Sequence, residues 1–402
     1  MSKHISRGIA WFVIVVLALS TLAACGDDQD DDKNVDLVKV AVALPLGLPV
    51  GEQMLQGAQL ALDEVGGKVG DVTVELVSFD SSAADNPVSS DKELEAAKQA
   101  IADEAVIAYI GAATSDQAKA ILLTLNKAGL ALVSPSATWP GLARPGFSAG
   151  EPDIYYEKGA RNFFRILPAD DVQGEAVGNW VHNRGIQSVY VIDDGTGFGQ
   201  GVSDIFGITA EDWGITIVGS HSLTEETTAA DIQALAAEVV ILAPEMVYYG
   251  GGNVPFGIPM LRALRTADPE LMIVAPEAMF QDEVIEELGA DLLEGVYVTT
   301  TTTDVEQIES ASVFAAAYAE KYGIAPVPYV LSTYEAMQVI LDAIGRAESF
   351  TREGVLAALA KTENFSGVMG TWSFTIFGET TLKTASVWQI RAGEWVFLEM
   401  IG

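Results

Sequence analysis

The 402-residue sequence contains a single cysteine, Cys25, and only three histidines. One cysteine excludes an internal disulfide, and its position near the N-terminus leaves the rest of the chain no thiol to act as a nucleophile or metal ligand. Beyond the N-terminal segment the histidines are His182 and His221, and neither has the spacing to other ligands that a zinc site requires. The sequence therefore predicts no metal site.

Basic residues are scarce as well, with 22 lysines and arginines against 56 aspartates and glutamates and a formal net charge of −34. Because so acidic a surface repels nucleic acid, we expect no nucleic-acid partner. The same charge keeps a secreted protein soluble. The hydrophobic fraction of 49% is that of a globular protein, and the length allows two domains or more.

A long apolar run occurs at the N-terminus. The basic segment Ser2–Arg7 precedes the apolar segment Ile9–Ala24, whose 16 residues fall short of a membrane-spanning helix and are typical of a signal peptide. Residues Leu22–Cys25 resemble the lipobox of bacterial lipoproteins, which implies cleavage before Cys25 and lipid attachment to its thiol. An uncleaved anchor helix is the alternative, and both place the bulk of the protein outside the cytoplasmic membrane.

Two polar clusters follow short apolar runs in the first half of the chain. Gly111–Gln117 comes after Ala105–Ile110, Ser134–Pro140 comes after Ala131–Val133, and apolar residues recur at helical spacing within Asp116–Ala128. Short apolar runs bounded by turn residues are typical of buried parallel strands, so this stretch predicts strand, helix, strand. Both clusters then lie at the carboxyl ends of adjacent strands, where open α/β sheets bind ligands.

These clusters offer a binding site for a small anion. The capping-box spacing of Thr114 and Gln117 predicts a helix start, which leaves the Ser115 hydroxyl and backbone N–H at the positive helix end. The tight loop Ser136-Ala137-Thr138 offers the Thr138 hydroxyl and N–H and the Ser136 carbonyl. Donors beside an acceptor suit a carboxylate with a neighbouring ammonium group. Alternatively, these serines and threonines only cap helices and form turns.

Strands and helices continue to alternate from about Asp170 to Ala347, and the last residues predict short antiparallel strands at Thr371–Phe377, Ser386–Ile390 and Trp395–Leu398. Such alternation implies parallel sheets with right-handed crossovers. About ten strands exceed one comfortable sheet, so we expect two α/β lobes. The aperiodic segment Arg144–Asn162 is predicted to be a surface excursion.

Two short motifs suggest other functions but lack their context. Gly146–Gly150 matches the G-x-S-x-G pattern of hydrolases around Ser148, yet no strand precedes it and no helix follows, so a hydrolase is only an alternative. The alternating glycines Gly195–Gly201 do not complete a dinucleotide-binding fingerprint, and no Walker loop is present. We therefore expect no cofactor, and a tight turn near a ligand or an interface for these glycines.

Residues later in the chain complete the candidate site. Glu277 follows a predicted strand and is suited to pair with a ligand ammonium, although a solvated acid at a strand end is the alternative. Phe198, Tyr248 and Tyr329 are candidates to line an apolar pocket, although aromatic side chains are more often core.

A series of short motifs covers roughly Val38 to Ile390. The motifs are Gly57-Ala58 to Asp63-Glu64 before Gly66-Gly67, Gly111 to Ser115, Ser134 to Thr138, Phe164-Arg165 with Asp171 and Gln173-Gly174, Phe198-Gly199, Tyr248 to Gly251, Pro276-Glu277, and Ser332 to Ala336. In order and spacing they resemble the type I periplasmic binding proteins of branched-chain amino acid ABC transporters, the leucine/isoleucine/valine-binding group.

The resemblance implies two doubly wound parallel-sheet α/β lobes joined by a hinge of several crossovers. It also implies a monomeric receptor, not an enzyme, that captures an amino acid by hinge closure and presents it to a membrane permease. The expected divisions are a signal peptide at 1–24, an acidic tether at 25–36, lobe 1 at 37–165 and 301–378, and lobe 2 at 166–300 and 379–402.

The resemblance further implies roles for individual residues. Ser115 and Thr138 would hold the ligand α-carboxylate. The Ser136 carbonyl, the Thr138 hydroxyl and Glu277 would hold the α-ammonium. Phe198 stands where relatives often place a tyrosine, and Tyr329 would flank the side-chain pocket. Ala113 and Ala137 complete the set of expected ligand-binding residues.

Two departures from the family pattern concern the side-chain pocket. Relatives carry a further tyrosine where this chain has Gly252, and the loop Pro45–Gln53 is shortened. Both leave open which side chain is accepted. A sensor protein of the same fold that binds an amino acid, amide or aromatic acid and feeds a signalling partner is an alternative to transport.

Overall fold

The computed structural model describes residues 37–251, 254–301, 308–327, 329–383 and 385–402. The predicted signal peptide, the lipid-attachment residue Cys25, the acidic tether and Gly252 lie outside the described residues. Within them, none of the helices combines the length and apolar character needed to cross a membrane.

The first 165 residues form one sheet, and its short apolar runs at 106–110, 131–134 and 163–165 are buried on both faces. Its elements are β1 (Leu37–Leu44), α1 (Pro49–Glu64), β2 (Lys68–Val69), β3 (Val72–Asp80), α2 (Ser90–Ala102), β4 (Val106–Ile110), α3 (Ser115–Ala128), β5 (Ala131–Ser134) and β6 (Phe163–Arg165). The strand order is β2-β3-β1-β4-β5-β6. All pairs are parallel except β2 with β3, which is antiparallel.

The predicted strand–helix–strand stretch is confirmed, and α3 begins where the spacing of Thr114 and Gln117 predicts. The Thr114 hydroxyl caps α3 by accepting from the backbone N–H of Gln117 at 3.3 Å, and Gly129 ends the helix in a left-handed conformation at φ +68°. Because β4 and β5 pair in parallel, the two polar clusters lie at the same edge of the sheet.

A second sheet is built from the middle and the end of the chain. The middle contributes α4 (Asp170–Asn183), β7 (Ser188–Asp193), α5 (Gly197–Asp212), β8 (Thr216–Ser222), α6 (Ala229–Leu242), β9 (Met246–Gly250), α7 (Val254–Ala267), β10 (Met272–Pro276), α8 (Asp282–Leu288), α9 (Ala290–Leu293) and β11 (Tyr297–Thr300). The rest of the chain forms α10 (Glu309–Tyr322), α11 (Val330–Arg346), α12 (Arg352–Leu359), β12 (Phe365–Gly367), β13 (Gly370–Trp372), β14 (Ala385–Arg391) and β15 (Glu394–Ile401). Strands β12 and β13 pair with each other as a separate two-stranded sheet, and β14 and β15 join the second sheet. The order is β15-β14-β11-β10-β9-β7-β8.

The strands β7 to β11 pair in parallel, whereas β14 and β15 add an antiparallel edge. Two parallel-dominated sheets confirm the expected α/β fold class. After β11 the chain returns to the first sheet, where the hydroxyl of Tyr318 in α10 donates to the Gln56 side chain in α1 at 2.7 Å. Which residues belong to each lobe stays a prediction.

Two predictions were only partly correct. The strand expected at Thr371–Phe377 ends at Trp372 as β13. The segment Arg144–Asn162 is not wholly a surface excursion, because Glu151 and Tyr155 in its middle are buried. Their side chains join through a 2.6 Å hydrogen bond from the Tyr155 hydroxyl to Glu151, which anchors the segment.

Candidate functional site

A cavity of about 360 Å³ opens at the carboxyl ends of β4, β5 and β10. Seven of the eight residues predicted from the sequence to bind a ligand line it: Ala113, Ser115, Ser136, Thr138, Phe198, Glu277 and Tyr329. The eighth, Ala137, is buried beneath the loop, where its N–H donates to the Ser134 hydroxyl at 2.9 Å. The structure thus brings residues from five separate segments to one cavity.

Ser115 lies at the first turn of α3, where backbone N–H groups point outward. Its side-chain oxygen accepts a hydrogen bond from the backbone N–H of Trp139 at 3.1 Å. Because that bond uses a lone pair, the Ser115 hydroxyl proton is available for a ligand acceptor. The geometry therefore presents Ser115 as a donor toward an anion.

The loop after β5 is fixed from both sides. The Ser136 hydroxyl donates to the Ala113 carbonyl at 2.9 Å, which joins this loop to the loop after β4. Beneath it the guanidinium of Arg165 donates to the carbonyls of Ala137 and Trp139 at 3.3 and 3.0 Å. Ser136 and Thr138 consequently line the cavity on a rigid support.

Arg165 is almost completely buried, and burial lowers the pKa of its guanidinium. Its charge is balanced by Glu379 at 3.2 Å, and Glu379 is also 2.6 Å from Arg144, which in turn pairs with Asp171 at 2.6 Å. Sequence reasoning used Arg165 only as part of a motif. Its role beneath the loop follows from contacts with residues more than 20 positions away along the chain.

Glu277 follows β10 and is only 5% exposed. One carboxylate oxygen accepts from the Gln173 side chain of α4 at 2.8 Å. Burial raises the Glu277 pKa to about 7, and the nearby negative charge of Asp170 adds to the shift. The alternative of a solvated acid at a strand end is therefore wrong.

Asp170 is a second buried acid that sequence reasoning missed. It begins α4, its backbone N–H donates to the Thr138 carbonyl at 3.0 Å, and its side chain is fully buried. Burial raises its pKa to about 6, although the Thr138 hydroxyl and Arg165 oppose the shift. Among the described residues neither carboxylate oxygen has a hydrogen-bond partner of ordinary geometry. The sequence signal was an acid at a helix start, which gives no indication of burial.

The aromatic candidates divide into two groups. Phe198 of α5 and Tyr329, which precedes α11, line the cavity. Tyr248 does not: it is buried in β9 and stacks on Phe206 with ring centroids 4.0 Å apart, so its expected place in the pocket was wrong. Sequence reasoning missed other lining residues, including Asn86 in the polar loop after β3 and Thr196.

No cluster of metal-binding side chains occurs within the described ranges. The cavity instead combines two kinds of wall, which we call its neutral side and its acidic side. The neutral side is Ser115, Ser136 and Thr138, and the exposed Asp116 of the first turn of α3 lines the cavity next to it. The acidic side is Glu277, which lines the cavity, with Asp170 buried beside it. Such a cavity can hold a small molecule that carries both signs of charge.

Comparison with known proteins extends this description. The family model described as periplasmic binding protein matches residues 39–393. A Leu/Ile/Val-binding protein of Rhizobium johnstonii is 26% identical over 370 residues, 90% of this chain and 94% of that protein. The crystal structure of a leucine-binding protein from Thermotoga maritima has a TM-score of 0.77 and 26% identity, and covers 90% of this chain and 98% of that one.

A solute-binding protein of an ABC transporter from Rhodopseudomonas palustris, solved in complex with benzoate, has the same fold. Its TM-score is 0.71 at 19% identity, with 90% of this chain and 96% of that one covered. Since a benzoate complex has this fold, the fold alone does not define the ligand.

Proposed function

The chain belongs to the periplasmic binding protein family, and from this premise we propose that it binds a branched-chain or other small amino acid for an ABC importer. The family consists of solute-binding proteins rather than enzymes. The hydrolase alternative also lacks support from the structure, because Ser148 is exposed in a run of turns with neither a strand before it nor a helix after it.

The observation that carries the proposal is that Ser115 and Glu277 line one cavity. A zwitterion suits both sides of the cavity. Its carboxylate accepts hydrogen bonds from the donors of the neutral side, and its ammonium pairs with a buried carboxylate. Either charge buried without its partner costs several kcal/mol. A carboxylic acid without an ammonium group brings no positive charge to Glu277 and Asp170. An aromatic acid is therefore disfavoured as the ligand.

We propose the following roles for individual residues. The hydroxyl and N–H of Ser115, together with Thr138, hold the α-carboxylate at the positive end of α3. The Ser136 carbonyl, the Thr138 hydroxyl and Glu277 hold the α-ammonium. Phe198 and Tyr329 contact the ligand side chain.

We also propose where the protein lies and which partner it has. The family name implies a place outside the cytoplasm. We propose lipid attachment at Cys25, which concentrates the receptor near a permease on the membrane. The two sheets belong to two lobes that close over the ligand, and the closed monomer is the form that the permease recognises.

Isothermal titration tests the function directly. The protein without its first 36 residues is titrated with the twenty amino acids, small amides and aromatic acids including benzoate. We expect one molecule of a branched-chain or other small aliphatic amino acid to bind per chain, without turnover, and benzoate to give no binding heat. Binding of benzoate or an amide with no response to any amino acid would reject the proposal.

A further inference from the structure

Helix α5 meets residues from the first sheet at two glycines, Gly197 and Gly201. A methyl group on Gly197 would lie 2.6 Å from a carboxylate oxygen of Asp116, in α3. A methyl group on Gly201 would overlap the ring of Trp139, with Cε3 only 2.7 Å away. The two glycines are four residues apart and therefore share one face of α5. Their spacing in the sequence is explained by this close approach rather than by a nucleotide.

The Trp139 side chain is fixed in place on its own side. Its indole N–H donates to Glu151 at 2.6 Å, and the other oxygen of Glu151 accepts from the Tyr155 hydroxyl at 2.6 Å. The Lys119 ammonium lies 4.6 Å from the indole ring centroid. The hydrogen bonds of Glu151 thus hold the indole ring in its position against α5.

The backbone of the same residue belongs to the candidate site. Its N–H donates to the Ser115 side-chain oxygen at 3.1 Å, and its carbonyl accepts from Arg165 at 3.0 Å. On the opposite side of the contact, Thr196 and Phe198 of the α5 N-terminal region line the cavity. Trp139 therefore connects the predicted carboxylate contact on one side to the cavity-lining residues of α5 on the other.

We propose that Trp139 is a positioning residue for ligand binding, which directs the Ser115 hydroxyl through its backbone and holds α5 over the cavity through its packing on Gly201. The inference rests on the proposed function, because the ligand that α5 covers is the amino acid. Indole packing against a glycine surface buries apolar area without requiring a ligand contact. Trp139 acts on affinity through Ser115 and α5 only.

A paired substitution tests the contact. In the wild-type background Gly201→Ala places a methyl group against the Trp139 ring, and we expect leucine affinity to fall at least tenfold with faster dissociation. Trp139→Ala also weakens binding. In the Trp139→Ala background the ring is gone, so Gly201→Ala should change affinity less than twofold. Titration gives the dissociation constants, stopped-flow gives the dissociation rates, and X-ray scattering shows whether leucine still compacts each variant.

The matched control is Gly207→Ala on the same helix, where an added methyl group meets nothing within 4 Å. Alanine favours a helix over glycine at both positions, so helix propensity cannot explain a loss that occurs only at 201. Trp139→Phe keeps a ring on Gly201 if the alanine variant does not fold. Thermal unfolding confirms that the variants are folded.

The outcomes separate the two hypotheses. A wild-type protein that gives no heat with leucine or any other amino acid rejects the proposed function and this inference with it. A wild-type protein that binds leucine, with the same cost of Gly201→Ala in both backgrounds, rejects the inference alone. Purely structural packing of Trp139 would lower the unfolding temperature without changing the leucine dissociation rate.

Discussion

The two sides of the cavity differ in how they present charge. The neutral side uses hydroxyls and the first turn of α3, and its hydrogen bonds within the protein are already satisfied by Trp139 and Ala113. The acidic side holds Glu277 and Asp170, whose pKa values burial raises to about 7 and about 6. The neutral side therefore has no unpaired charge, whether water or a ligand fills the cavity. On the acidic side the buried carboxylates cost free energy unless a positively charged group binds next to them.

The difference indicates which side of the cavity distinguishes one class of ligand from another. Neutral hydrogen-bond donors bind any small carboxylate with similar energy. They therefore bind the carboxylate group that many ligands share. A buried carboxylate with one bond from Gln173 rejects a ligand that brings no positive group. We therefore expect the acidic side to select amino acids among carboxylic acids and the neutral side to contribute general affinity.

The largest effect is expected at Glu277. Glu277→Gln keeps the shape and a hydrogen bond from Gln173 but removes the charge that faces the ammonium, so leucine affinity should fall about a hundredfold, roughly 3 kcal/mol. Titration with leucine and with its deaminated analogue measures the difference. The analogue should bind weakly to the wild-type protein, and the variant should bind it at least as tightly, because the buried charge that disfavours the analogue is gone. The exposed Glu286, changed to Gln, is the matched control.

If the variant loses affinity equally for leucine and for the deaminated analogue, Glu277 supports the fold of the cavity and does not read the ammonium. That result would remove the distinction between the two sides.

Local signals were sufficient to predict the neutral side. Thr114 and Gln117 lie three residues apart, and their spacing indicated the start of α3, which the structure confirms. Ser115 and Thr138 lie at the ends of consecutive strands, and parallel pairing of β4 with β5 brings such ends together. Because the residues of the neutral side lie close together in the sequence, periodicity and helix capping are enough to predict most of their arrangement.

Long-range contacts build the acidic side, and periodicity does not report them. Gln173 and Glu277 are 104 residues apart when they meet. Asp170 entered the sequence analysis only as the start of the alternating segment, because periodicity does not report its contact with Thr138, 32 residues earlier in the chain. The contact between Trp139 and Gly201 also joins residues far apart along the chain, so periodicity does not report it. The roles of the eight predicted residues in binding stay a prediction, although the structure places seven of them around one cavity.

A smaller effect is expected on the neutral side. Ser115→Ala removes one hydroxyl donor but leaves the backbone N–H groups of α3, so leucine affinity should fall about tenfold, about 1.4 kcal/mol. The deaminated analogue should lose affinity by the same factor, since it keeps the carboxylate. Both ligands are titrated against the variant and against Ser366→Ala, an exposed serine of β12. A loss confined to leucine would place Ser115 at the ammonium instead.

The smallest of these effects is the dependence of affinity on pH. Glu277 must be ionised to hold an ammonium, and with a pKa of about 7 its ionised fraction falls from about nine-tenths at pH 8 to about one quarter at pH 6.5. Leucine affinity should therefore weaken about fourfold over this range, and the weakening must occur as pH falls because the acid form is neutral. Titration at both pH values measures it.

The two sides make opposite predictions for this profile. Serine and threonine hydroxyls do not ionise between pH 6.5 and 8, so Ser115→Ala should lower affinity at every pH and keep the slope. Glu277→Gln should remove most of the slope, and what remains belongs to Asp170, whose pKa of about 6 places its titration at the acid end. An unchanged slope in Glu277→Gln would assign the titration to another group, and Asp170→Asn would then be the variant that flattens it.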